Sequence, residues 1–339
     1  MMFRTVVVGL LLPLIAAAGL TGSGTAGGWV AAWSAAPDSA GPPMGPGTVR
    51  QIIRTSIAGS SIRIRLSNLF GQMPVTIGPV HVARHARGSE IRTGTDHAVT
   101  FGSKPTVTID RGAEVLSDPV ALPVAALDQL AVSFYLPVRT GPSTLHGSGI
   151  QTAFIATGDV TAATALPAGE TDTSRYFLTG LEVAASAGAR AIVMVGDSIT
   201  DGVGSTPDTN ARWPDVLAAR LQADPGLASI AVVNAGIAGN RILNDGADPY
   251  VGPSILSRFD RDALRQPGVR WILLLSGGND ISAARLLGTP KDQVSTQMII
   301  NGMKTLIERA HRQGIRILGA TLTPKAGSEF YYPKGEAMR

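Results

Sequence analysis

The chain of 339 residues contains no cysteine. That excludes a disulfide framework, a thiolate nucleophile and the cysteine-based ligand sets of structural zinc. Charge is scarce as well. Asp, Glu, Lys and Arg make up 16% of the sequence, against roughly 25% in ordinary soluble domains. The net charge of +4 is not gathered into a run of Lys or Arg, so the clustered basic surface of a nucleic-acid binder is missing. No G-x-x-x-x-G-K-[ST] phosphate loop occurs. The G-x-G-x-x-G match at Gly22-Ser23-Gly24-Thr25-Ala26-Gly27 has no strand before it and no helix after it. Five histidines are spread along the chain without a ligand cluster, so neither a metal nor an organic cofactor is expected.

What is present begins with a leader pattern. Met1-Met2-Phe3-Arg4 precedes an apolar stretch from Val6 to Leu20 and small residues through Gly28. One positive charge, a short apolar core and a small-residue exit describe a secretory signal peptide over residues 1–28, cleaved after Ala18 or Ala26. The stretch is too short for the ~20 residues of a membrane span, so no stable span is expected after cleavage. The expected location is secreted or periplasmic. Without disulfides such a protein depends on its core, and a 44% hydrophobic chain of this length has enough material for two domains.

Residues 29–160 carry a period of two. Ser61-Ile62-Arg63-Ile64-Arg65-Leu66 alternates strictly, as does Leu130-Ala131-Val132-Ser133-Phe134-Tyr135-Leu136, and turn signals such as Gly41-Pro42-Pro43 separate the runs. Strands with one wet face at short spacing predict an all-β sandwich, jelly-roll-like domain. Residues 161–188 are expected as a linker with one short strand near Tyr176. From 189 to 339 the pattern changes. Ala191-Ile192-Val193-Met194-Val195, Ile230-Ala231-Val232-Val233, Trp271-Ile272-Leu273-Leu274-Leu275 and Ile315-Arg316-Ile317-Leu318-Gly319-Ala320 are apolar runs separated by helical patterns at Trp213 to Gln222, Ile255 to Arg265 and Gln293 to Arg312. Strands buried on both faces and alternating with helices predict a doubly wound α/β domain with a parallel sheet.

Sites in such sheets lie beyond the carboxyl ends of the strands. Three polar loops follow the first three runs: Gly196-Asp197-Ser198-Ile199-Thr200-Asp201-Gly202, then Asn234-Ala235-Gly236-Ile237-Ala238-Gly239-Asn240-Arg241, then Ser276-Gly277-Gly278-Asn279-Asp280. The Gly-Asp-Ser loop fails the G-x-S-x-G elbow of α/β-hydrolases at its last position. Together the three loops resemble, in order and spacing, the first three blocks of the SGNH (GDSL-like) hydrolases. The resemblance implies a three-layer α/β/α, flavodoxin-like fold and a serine esterase acting through an acyl-serine intermediate. Ser198 would be the nucleophile, and the oxyanion donors would be the backbone N–H groups of Ser198 and Gly239 with the side-chain amide of Asn279. Gly236 shares the Gly239 loop, and one of the two is purely conformational. Asp197 and Asp280 are expected to tie down their loops, and Asp201 to shape the start of a helix.

The resemblance also implies a base in an Asp-x-x-His segment after a fifth strand. No such segment precedes Arg339, and the expectation is a hydrolase domain lacking its last strand, helix and histidine. His311 is expected at the bottom of the sheet. His146, in Thr144-Leu145-His146-Gly147-Ser148-Gly149, is the loop histidine to weigh as a substitute base, with a structural or rim role beside it. The expected substrate is an ester of an acetyl or short acyl group, on carbohydrate, or a lipid acyl ester. The rival expectation is a glycan-binding protein whose hydrolase domain is degenerate and inactive.

Overall fold

The computed structural model describes residues 28–246, 251–328 and 330–339; nearly all of the leader pattern lies outside them. The N-terminal region is largely β, and its two main sheets are antiparallel. One runs in the order Trp29–Ser34, Leu178–Ala184, Ile62–Ser67, Glu114–Leu116. The other follows the path Glu170–Asp172, Ala153–Ala156, Gly47–Arg54, Gln129–Leu136, Val80–Arg87, with Glu90–Ile91 and His97–Val99 both pairing the last of these. A smaller sheet joins Arg175–Tyr176, Pro142–His146 and Ser39–Pro43.

Alternation explains these strands. Ile62, Ile64 and Leu66 are fully buried, while Arg63 and Arg65 turn outward and both pair with Glu182 on the neighbouring strand. Leu130, Val132, Phe134 and Leu136 enter the same core, where the Phe134 ring meets Phe177 edge-on at 6.1 Å. The segment 161–188 departs from expectation. Instead of a linker it carries three strands, and Leu178–Ala184 lies between Trp29–Ser34 and Ile62–Ser67 with most of its residues buried. Its register slips between Leu178 and Gly180. A bulge puts an extra residue into the strand and breaks the period of two by which it would be recognised.

The C-terminal region is built on a four-stranded sheet in the order Ile230–Gly236, Arg190–Gly196, Val269–Leu275, Arg316–Gly319. All three pairings are parallel. Both faces are covered, as continuous apolar runs require. Met194 and Val232 pack with Ala218 of the helix Trp213–Ala223. Val193, Val195, Val233 and Ile272 join Ile255 and Phe259, from the helix Ile255–Phe259, and Leu306, from the helix Thr296–Arg312. The last helix is capped by Ser295, whose side chain accepts from Met298 N.

The two regions share one core. The main buried cluster runs from Val30 and Leu181 through Val193 and Val233 to Leu306 without a break. Ser34 Oγ donates to Asn234 O at 2.7 Å, Val232 N donates to Ser56 Oγ at 3.0 Å, and Ala31 N donates to Pro267 O at 3.0 Å. Trp29–Ser34 is therefore both an edge strand of the β region and a wall of the parallel sheet.

Candidate active site

The strand Arg190–Gly196 ends on Asp197, which is extended (φ −104°, ψ −153°), and Ser198 opens a one-turn helix, Ser198–Asp201. The Asp197 carboxylate caps that turn by accepting from Ile199 N at 3.1 Å. The turn closes at Gly202, whose N–H donates to Ser198 O, as does that of Val203. Ser198 is half-buried, and its hydroxyl bonds to no described residue. As the first helical residue its N–H has no intrahelical acceptor, and it finds none among the other described residues.

The two glycines of the second loop sit in different surroundings. A Cβ on Gly236 would lie 2.3 Å from Asp201 N, so this glycine lets the strand Ile230–Gly236 pass directly under the Ser198 turn. Gly239 has φ +72°, in the left-handed region that favours glycine, and its N–H bonds to no described residue. The Gly236 N–H is taken by Asn234 Oδ1 at 2.9 Å, whereas that of Gly239 meets no acceptor among the described residues. The loop is fixed from below: Asn240 is fully buried, and its amide donates to Val251 O and Pro253 O at 2.7 and 2.9 Å.

Asn279 lies in the first turn of the helix Gly278–Leu286, which follows Gly277 at φ +118°. Its Nδ2 donates to Asn240 O at 3.0 Å, so one of its two N–H bonds is spent on the Gly239 loop and the other remains. Asp280 accepts from Ile242 N at 2.8 Å and Leu243 N at 3.0 Å, tying the second loop to the third. The structure thus draws Ser198, Gly239 and Asn279 onto three loops bonded to one another at one edge of the sheet.

One expectation needs correction. Asp201 does not shape the start of the helix; Asp197 does that. Asp201 is the last helical residue, and its Oδ2 accepts from Ala238 N at 2.8 Å while its Oδ1 lies 3.1 Å from His146 Nε2. It fastens the Ser198 turn to the Gly239 loop and to the β region.

Two cations here escaped the sequence. Arg258, almost fully buried, donates to Asn240 Oδ1 at 3.0 Å, Ala235 O at 2.7 Å and Gly196 O at 3.2 Å, and pairs with Asp262. It braces the first two loops, but a lone arginine inside a helical pattern gives no motif to find. Lys325 donates to Gly278 O at 2.9 Å and Ser282 Oγ at 2.7 Å, beside the helix that carries Asn279. It follows the fourth apolar run, so its position beyond a strand's carboxyl end was the available signal. Burial lowers its pKa, opposed by the charge of Asp197. Burial likewise pushes the Asp197 carboxyl up to about 6, against the Ile199 hydrogen bond and Lys325. Asp280 is raised for the same reason.

None of the five histidines bonds to Ser198. His81 pairs with Asp96, His85 with Gln129 and Gly88, and His97 with Thr95 O. His311 is exposed in the last turn of Thr296–Arg312. His146 is 6% exposed and has both ring nitrogens engaged, Nδ1 with Ala36 O at 2.8 Å and Nε2 with Asp201. It has no nitrogen left to take a proton from serine.

Residues 194–339 match the model of the GDSL-like Lipase/Acylhydrolase family. Among solved structures, a protein of Desulfitobacterium hafniense DCB-2, described as lipolytic and of the G-D-S-L family, shares 23% identity over 44% of this chain and 67% of its own, with a TM-score of 0.32. Axe2, an acetylxylan esterase from Geobacillus stearothermophilus, shares 22% identity over 44% of this chain and 66% of its own, with a TM-score of 0.34. The chain thus spans about two thirds of the length of each. No curated protein matches.

Proposed function

We propose, from the premise that residues 194–339 form a GDSL-like lipase/acylhydrolase domain, that the chain is a secreted or periplasmic carboxylic-ester hydrolase with Ser198 as its nucleophile. The observation that carries this is that the Ser198 hydroxyl and the backbone N–H groups of Ser198 and Gly239, on two loops joined by Asp201, meet no partner among the described residues. Ser198 Oγ attacks the ester carbonyl, and the C=O pair moves onto oxygen. The two free N–H groups, with the second N–H of Asn279, receive that oxyanion. The bond to the alcohol oxygen breaks, that oxygen takes up the proton given up by the serine hydroxyl, and an acyl-serine remains; water then attacks it, releasing the acid and returning a proton to Ser198 Oγ.

On this reading the C-terminal region is a three-layer, flavodoxin-like hydrolase domain, and residues 28–188 form a jelly-roll-like sandwich before it. The substrates to try first carry acetyl or short acyl groups on carbohydrate, followed by lipid acyl esters. The five histidines leave Ser198 without a base, so slow turnover is expected of these 339 residues. In a serine protease, loss of the histidine costs on the order of a millionfold.

That same observation favours a second reading, a glycan-binding protein with an inactive hydrolase domain. A groove of about 650 Å³ in the β region is lined by Pro42, Pro43, Pro46, Glu170 and Asp172 among others. Hydrolysis of p-nitrophenyl acetate by the chain and by Ser198→Ala decides. Activity that vanishes in the variant supports the esterase. Equal rates together with oligosaccharide binding select the second reading.

A further inference from the structure

His146 ends the strand Pro142–His146 in the β region, yet its imidazole is buried against the Ser198 turn. Nδ1 lies 2.8 Å from the carbonyl of Ala36, and Nε2 lies 3.1 Å from Oδ1 of Asp201. A carbonyl oxygen only accepts, and so does a carboxylate. Both ring nitrogens must therefore carry protons, which makes His146 an imidazolium between two acceptors. Asp38 stands 3.7 Å from Nδ1, and it is itself held by Gly147 N and Ser39 Oγ, each at 2.6 Å. The other charged groups facing this site are Arg212 and Arg175, which line a small cavity beside the ring.

Asp201 relays the contact. Its second oxygen accepts from Ala238 N at 2.8 Å, and Ala238 precedes Gly239, whose own N–H bonds to no described residue. A chain of charge-assisted bonds thus runs from the β region through His146 and Asp201 to the peptide next to the proposed oxyanion donor. We propose that His146 is a positioning residue: as an imidazolium it fixes Asp201, which in turn fixes the Ile237–Ala238 peptide, one unit before the Gly239 N–H. The purpose of this device rests on the ester-hydrolase reading, but the coupling itself does not.

A neutral imidazole has one donor. On losing a proton, His146 would release either Ala36 O or Asp201, and a buried Asp201 would lose its counter-charge. Burial opposes the charge on His146, while Asp201 and Asp38 more than offset it and raise its pKa above the ordinary histidine value. The ordered loop therefore belongs to pH values below that raised pKa, and it loosens as pH rises through it.

The experiment is a pH titration of the full chain labelled with nitrogen-15, following the His146 ring nitrogens and the amides of Ala238 and Gly239. The expected result is one shared midpoint for all three, and loss of the amide step in His146→Gln. Amides indifferent to pH across the ring's own titration would overturn the proposal, as would a step that survives in His146→Gln. Should that variant fail to fold, Asp201→Asn serves as the second test, because it keeps an acceptor for Ala238 N and removes the charge. A titration that persists unchanged in Asp201→Asn also overturns the proposal. Ser198→Ala should titrate like the parent, so failure of the esterase reading and failure of this coupling are separate results.

Discussion

Arg50 in the β region and the Ser198 site in the parallel-sheet region use their polar groups in opposite ways. In the β region Arg50 is 0% exposed, and its guanidinium donates to Ser133 Oγ, Ser89 O, Thr161 O and Ala163 O. Burial pulls its pKa down to about 10, which leaves it charged at neutral pH and closed within its own network. At the carboxyl ends of the parallel strands, the Ser198 hydroxyl and the Gly239 N–H find no partner among the described residues. Both residues are only half-buried, so water can reach these groups until a ligand displaces it. Closed networks hold a fold. Open groups await a substrate.

Substitutions should sort along that line. The largest effect belongs to the most open group: Ser198→Ala should remove all ester hydrolysis above background while leaving the melting temperature near that of the parent. A large loss of stability in that variant would erase the distinction. Arg258→Leu comes next, because Arg258 is a closed network beneath an open site. Removing it takes the donor from Asn240 Oδ1, Ala235 O and Gly196 O and leaves Asp262 to Arg261 alone, which should cost on the order of 3 kcal/mol in urea unfolding; an unchanged unfolding midpoint would make the bracing of Asn240 irrelevant. Asn279→Ala should lower kcat by ~10²–10³, the usual effect of one oxyanion donor, with little change in Tm. A drop confined to KM would assign Asn279 to substrate binding instead.

The smallest effect concerns pH. Asp197 has its pKa raised from 3.8 to about 6 by burial. The folded state therefore holds this proton more tightly than the unfolded chain, and the associated stability is lost as pH rises through about 6. At about 1.4 kcal/mol per unit, the loss between pH 4 and pH 6 is on the order of 2–3 kcal/mol. Asp197→Asn, which keeps a capping acceptor, should flatten that part of the stability curve. An identical curve in the variant would place the titration elsewhere.

The sequence disclosed most where physics writes a repeating signal. Four apolar runs marked the parallel strands, and strict alternation marked Ile62–Ser67 and Gln129–Leu136. The three loops holding Ser198, Gly239 and Asn279 followed from strand ends alone. What stayed hidden lacked a period or depended on distant partners. The strand Leu178–Ala184 was masked by its bulge. Asp201 looked like a local helix signal because its two partners, Ala238 and His146, lie 37 and 55 positions away along the chain. Arg258 and Lys325 act through carbonyl groups that no motif records.

The strand Trp29–Ser34 carries a consequence for how the chain comes apart. Because it serves the antiparallel sheet on one side and the strand Ile230–Gly236 on the other, no cut in the sequence separates the two regions without exposing a core face. Melting should be a single cooperative event, and neither half should survive expression alone. Within this protein the serine-bearing half is not a portable module, for its neighbour is part of its scaffold.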